Sequence, residues 1–403
     1  MTWLDLAPDE PFGIHNLPYC SFSSRGIGAV GVRIADQVLN LSGAEETSLL
    51  DAGGALAGSS TVDRFLVAGR PTWTRVREQI IALLTDEHRR PATQRLLSPL
   101  SSDEMRLEMP FAVADYVDFY SSEHHASNVG QIFRPGQPPL PPNWKHLPIG
   151  YHGRAGTVVV SGTDVIRPAG QHKPSDAPAP VFGPSARLDI EAEVGFVVGT
   201  GSRPGTAVST DDFRNHVFGA VLLNDWSARD IQAWEYQPLG PFLGKSFSTS
   251  ISPWVVPLEA LEPARVPAPA QDPPVVGYLT EADRYSYDLT LEVSWNGTVV
   301  SRPPFRTHYW SPAQQLAHMT VNGARLRPGD LFASGTVSGP IRSQAGSFLE
   351  LTWGGTEPIT LEDGSIRTFL LDGDTVTITG TAPGPDGSVL GLGEVTGTIR
   401  AAP

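Results

Sequence analysis

The 403-residue sequence contains a single cysteine, Cys20, so no intrachain disulfide can form and a reducing compartment is the simplest setting. It has no apolar run approaching the ~20 residues that cross a bilayer. Its opening residues, MTWLDLAPDEPFG, show neither the basic start nor the apolar centre of a signal peptide, so a cytoplasmic protein with no membrane partner is expected. Positive charge is scarce too: 29 Lys and Arg stand against 43 Asp and Glu, a formal net charge of −14. No Lys/Arg cluster is placed to follow a phosphate backbone, which argues against a nucleic-acid partner.

Glycine (41) and proline (37) are abundant, and that many turn formers favours a β-rich fold over a helical bundle. The length exceeds one ordinary core. Near the start, SRGIGAVGVRIADQVLNLSGA sets two apolar runs around ADQ, a strand hairpin that predicts a small β-barrel or sheet. In TWTRVREQIIALLTDEH, residues Val76, Ile80, Ile81, Leu83 and Leu84 approximate helical spacing. The only other clear helical patterns fall near Ser227–Tyr236 and Pro312–Val321. A change of pattern near residues 105–112 divides a small N-terminal β domain, 1–108, from a large mostly-β domain, 109–403, in which short strands alternate with polar loops.

Several stretches could carry chemistry. ARLDIEAEVGFVVG places Asp189, Glu191 and Glu193 at alternate positions, hence on one face of a strand. Two readings stay open: a solvated outer face, or a site for a hard divalent cation, which makes clustered carboxylates favourable. The apolar run VFGAVLL reads as a buried strand that ends at Asp225, a strand terminus where ligands converge. Beyond it, Arg229, Gln232 and Tyr236 fall on one helical face suited to an oxyanion-rich small molecule, although Arg229 could equally pair with Asp230 or Glu235. GPFLGKS is one residue short of a phosphate-binding loop and follows a helix, so it leaves Lys245 only as a fixed positive charge. DYVDFYSSEHHASN gathers Asp118, Tyr120, His124 and His125, and in an extended chain at most one of the two histidines enters a site. In SFLELTW, read as an alternating strand, Glu350 is a surface residue unless a histidine partners it.

Taken together, DFYSSEHHASNVGQIFR, NWKHLPIGYHGRA, LDIEAEVGFVVG, LNDWSARDIQAWEYQPLGPFLGKSFSTSISPWVVP, RPGDLFASGTVSG and TFLLDGDTVTITG resemble the fumarylacetoacetate hydrolase family along nearly the whole chain. The resemblance implies an SH3-like N-terminal barrel followed by a mixed β-roll or β-sandwich, and a homodimer. It implies a metal-dependent hydrolase that cleaves a carbon–carbon bond of fumarylacetoacetate to fumarate and acetoacetate, the last step of tyrosine and phenylalanine breakdown. By that resemblance Asp118, Glu191, Glu193 and Asp225 hold Mg²⁺ or Ca²⁺, with Lys245 and Thr249 beside the metal. His125 is the general base, oriented by Glu350, and Arg229, Gln232 and Lys245 stabilise developing charge. Tyr120, Arg134, Tyr151, Arg229, Gln232, Tyr236 and Thr336 contact a small diketo-acid substrate, and Asp189 has no ligand role. The alternatives are a hydrolase of another acylpyruvate or diketo acid, and a non-catalytic metal-stabilised protein that binds a small acid.

Overall fold

The run VFGAVLLND is apolar at consecutive positions because it is covered on both sides. In a computed structural model, which describes residues 2–7, 9–174 and 177–403, it forms the strand Val217–Asp225 near the middle of the main sheet. Ala220 and Leu222 point into one core with Val194, Phe196 and Phe332, while Val221 and Leu223 point into another with Val197, Leu331 and Ala333. The strand order of this sheet is Gly150–His152, Asp115–Phe119, Asp330–Ala333, Ala192–Val198, Val217–Asp225, Thr249–Ile251 and Val158–Val160, with Val256–Pro257 also paired to Val217–Asp225.

The first core is closed by a second sheet, ordered Thr298–Ser301, Thr290–Trp295, Thr375–Pro383, Val389–Arg400 and Val165–Ile166, which contributes Leu291, Val293, Ile378 and Val395. The large domain is therefore a sandwich of curved sheets. The second core lies between the main sheet and the N-terminal domain. There, the antiparallel strands Leu97–Pro99, Gln37–Asn40, Ile27–Ile34, Tyr19–Ser24 and Met105–Glu108 form the small β unit. The helix Arg70–Thr85 buries Val76, Ile80, Leu83 and Leu84 as its spacing predicts, leaves Ile81 half-buried, and also buries Trp73. Among the described residues no helix is long and apolar enough to cross a membrane.

Three local expectations are corrected. The carboxylate stretch is not one continuous strand: Leu188–Asp189 pairs with Ser227–Ala228, Ile190 and Glu191 leave the ladder, and Ala192–Val198 enters the main sheet. All three acids are buried, which overturns the solvated-face reading, because both faces of this region are covered by packed elements. SFLEL is a one-turn helix, Phe348–Leu351, and the His-rich segment is a helix, Glu123–Phe133, capped by Ser122. That removes the extended-chain premise for His124 and His125, yet only His125 is buried.

Candidate active site

Sheet register brings four carboxylates together. Asp118 lies opposite Ala333 in the parallel pair, and Ala333 lies opposite Gly195 on the next strand. On the other side Ala192 pairs with Asn224, so that Asp225 adjoins Glu191, its N–H donating to the Glu191 carbonyl at 3.1 Å. One oxygen from each of Asp118, Glu191, Glu193 and Asp225 lies within 4.8 Å of the others, and all four residues are buried.

Four buried carboxylates repel one another unless countercharge is supplied. Two cations reach them. Lys245 Nζ donates to Glu191 and stands 3.1 Å from Asp225 Oδ2, while Arg229 Nη1 donates to Glu191 Oε1 at 2.7 Å. Against the upward push of burial, Lys245 and Arg229 hold the Glu191 carboxyl well below the usual carboxylate range. Asp118 and Glu193 are served worst: burial, then the neighbouring carboxylates, push both well above that range. Asp118 Oδ1 and Glu193 Oε1 are buried with no hydrogen-bond partner. The single phenol proton of Tyr151 lies between Asp118 Oδ2 (2.9 Å) and Asp225 Oδ2 (2.7 Å) and can serve only one of them. Unpartnered acceptor oxygens and excess negative charge, all in oxygen ligands, fit a hard divalent cation. Thr249 Oγ1 donates to Asp225 Oδ1 at 3.2 Å, so Thr249 and Lys245 both stand beside the carboxylates as donors.

The histidine arm comes from two helices. His125 Nδ1–H donates to Glu350 Oε2 at 2.7 Å, a tautomer assigned from the network, and Nε2 is left as an acceptor 3.7 Å from Glu191 Oε1. Burial pushes the Glu350 carboxyl up, but its electrostatic interaction and hydrogen bond with His125, with hydrogen bonds from Asn128 and Ser347, hold it below the usual range. Asn128 Nδ2 donates to Oε1 (2.9 Å), while Ser338 and Ser347 donate to Oε2 (3.0 and 2.8 Å). Sequence reasoning missed these three residues. Asn128 stands three residues after His125, on the same helical face, a signal visible only once that segment is recognised as a helix.

A cavity of about 410 Å³ runs past both arms. His125, Asp118 and Glu191 reach its wall, together with all of Tyr120, Arg134, Tyr151, Arg229, Gln232, Tyr236, Lys245 and Thr336. Glu193, Asp225, Thr249 and Glu350 are not part of that lining; Asp225 and Thr249 line, with Tyr151 and Lys245, a second cavity of about 310 Å³. Arg229 pairs with Asp189 and Glu191, not with Asp230 or Glu235. Asp230 instead accepts from Ser185 and Ala186, and Glu235 accepts from the N–H groups of Phe242 and Gly244, shaping the loop that delivers Lys245. Arg229 Nη2 and Thr336 Oγ1 are buried without partners, as donors kept for a ligand would be.

Residues 115–400 match the family described as fumarylacetoacetate (FAA) hydrolase C-terminal, and residues 15–110 match fumarylacetoacetase N-terminal. The chain is 45% identical over 416 residues to the fumarylacetoacetase of Homo sapiens, covering 100% of this chain and 99% of that protein. It is also 45% identical over 418 residues to that of Arabidopsis thaliana, with the same coverage of each. The fumarylacetoacetate hydrolase of psychrophilic Exiguobacterium antarcticum shares the fold with a TM-score of 0.57 at 17% identity, covering 96% of this chain and 99% of that one. Full-length relatives at this identity, together with matches to both parts of the family, show that the chain belongs to the fumarylacetoacetate hydrolase family.

Proposed function

We propose that this enzyme hydrolyses fumarylacetoacetate to fumarate and acetoacetate. The observation that carries the reading is the His125–Glu350 pair set beside the four-carboxylate cluster, with His125, Asp118 and Glu191 opening onto one cavity. Asp118, Glu191, Glu193 and Asp225 would hold a divalent cation, Mg²⁺ or Ca²⁺ by the chemistry of an all-oxygen donor set, and it would supply Lewis-acid polarisation to the substrate.

His125 Nε2 accepts a proton from water, and Glu350 fixes the tautomer and stabilises the imidazolium that forms. The water oxygen bonds to the ketone carbon of the fumaryl group. The bond from that carbon to the methylene then breaks, its electron pair passing into the enolate of acetoacetate. Arg229, Gln232 and Lys245 provide positive charge and hydrogen bonds fixed in advance of the charge they meet. The proton held at Nε2 is available to the departing carbon, which closes the balance. Tyr120, Arg134, Tyr151, Tyr236 and Thr336 hold the two carboxylates and the ketone oxygens of the substrate.

The test is His125→Ala. Turnover is expected to fall by about 10³-fold or more while cation affinity stays near wild type. Turnover unchanged from wild type contradicts the assignment. A cytoplasmic homodimer completes the proposal. The single cysteine supports the compartment, and exposed Phe182, Trp234, Leu239 and Phe242, of which Leu239 lines the cavity, supply apolar surface for a second copy.

A further inference from the structure

Asp189 is the one acid of ARLDIEAEVGFVVG that joins neither the carboxylate cluster nor the cavity wall, yet it is fully buried. Its four acceptor positions are all used. Oδ2 accepts from Arg229 Nε at 2.8 Å and from the Leu349 N–H at 3.0 Å. Oδ1 accepts from the Phe348 N–H at 2.7 Å and from the Ile190 N–H at 2.7 Å. Phe348 and Leu349 are the first two residues of the one-turn helix that carries Glu350, and the third N–H of that turn, from Glu350 itself, is taken by Ser347 Oγ at 3.3 Å. The turn closes through the Leu351 N–H on the Ser347 carbonyl (3.1 Å) and the Thr352 N–H on the Phe348 carbonyl (2.8 Å), but the first N–H groups of any helix have no partner within it, so those of Phe348, Leu349 and Glu350 depend on groups from outside. Asp189 supplies them from a strand distant in sequence, and the same carboxylate fixes the guanidinium of Arg229.

We propose that Asp189 is a positioning residue that ties the two arms of the reaction together, setting Glu350, and through it His125, in register with Arg229. The inference rests on the roles given above to His125, Glu350 and Arg229. Asp189 touches none of the reacting atoms. Its carboxylate is anchored to Leu188–Asp189, which is paired to Ser227–Ala228, the residues just before Arg229, so one short ladder holds the base of both arms. Water activation and charge stabilisation therefore share one mechanical reference, and loosening it displaces both.

Asp189→Asn keeps the shape but reverses half the chemistry. Its amide nitrogen must face either Arg229 and Leu349 or Phe348 and Ile190, so the helix turn loses a partner in both orientations. The experiment begins with wild type and His125→Ala, whose activities decide the functional reading by themselves. Asp189→Asn is then compared with wild type for kcat, KM and cation affinity. The expected result is a kcat lower by about 10²-fold, as small displacements of reacting groups produce, with KM and calorimetric cation affinity within about threefold.

Double-mutant cycles with Arg229→Lys and with Glu350→Gln separate positioning from general damage. The kcat losses are expected to be smaller than the product of the single losses in both cycles. If Asp189→Asn does not fold, replacing Leu349 by its α-hydroxy acid analogue removes one N–H donor and no side chain, and a loss of kcat of about tenfold is expected. A kcat within threefold of wild type in the folded variant, losses that multiply in both cycles, or an unchanged kcat in the Leu349 analogue overturns the proposal.

Discussion

Glu193 shows most plainly why the site is built for a cation. One oxygen accepts from the Gly335 N–H at 3.1 Å, the other has no partner, and burial with three neighbouring carboxylates pushes its pKa well up. Glu193→Gln is therefore expected to lower divalent affinity by about tenfold or more and to lower turnover with it, as read by calorimetry and assay. Because burial and the neighbouring carboxylates push Asp118 and Glu193 upward, cation binding to the wild type is expected to release protons, so the measured heat should vary with the ionisation enthalpy of the buffer. Normal affinity in the variant contradicts the ligand assignment. Charge only marked Glu191, Glu193 and Asp225 as acids in or at the end of apolar runs: the alternation left a solvated face open, and it was the family resemblance that proposed them as ligands. Ser338, Ser347 and Asn128 are small polar side chains without a pattern, and only the fold reveals that they converge on Glu350.

At the scale of elements, the turn after the Asp330–Ala333 strand sets the back of the cluster. Gly335 has φ +78°, and a Cβ there would lie 2.1 Å from the Phe119 carbonyl oxygen. Its N–H holds Glu193. Gly335→Ala combines a disfavoured left-handed conformation with a backbone clash, so a loss of about 3 kcal/mol in urea unfolding is expected, with weakened cation binding. Wild-type stability in that variant contradicts this account of the turn. Long elements with one buried face were readable, as Arg70–Thr85 and Val217–Asp225 show. Phe348–Leu351 was not, because four residues are too few to distinguish a period of 3.6 from one of 2. The helix Glu123–Phe133 escaped for a different reason: it turns His125 and Asn128 inward toward a polar site, so its buried face lacks the apolar stripe that marks a helix.

At the scale of the molecule, the main sheet has no solvated face in its middle. The second sheet covers one side, and the N-terminal domain covers the other through Tyr19, Phe65 and Trp73 packed on Phe218. Such enclosure is what lets Val217–Leu223 be apolar at every position and deliver Asp225 into a buried cluster. The mostly-β class was legible in the turn-rich composition and in the alternating strands. The contact between the domains was not, because it depends on Gly199 admitting the Trp73 ring, where a Cβ would lie 2.3 Å from it, and nothing local distinguishes that glycine from those in turns.

The central claim is that buried carboxylates and the His125–Glu350 pair form one hydrolytic site that needs a divalent cation. The most direct measurement incubates the purified full chain with fumarylacetoacetate and Mg²⁺ or Ca²⁺, with and without chelator, and follows fumarate and acetoacetate together. The two products are predicted to appear in equal amounts with either cation, and to be lost with chelator and restored on adding the cation back. No release with either cation, or turnover indifferent to chelator, would contradict the account.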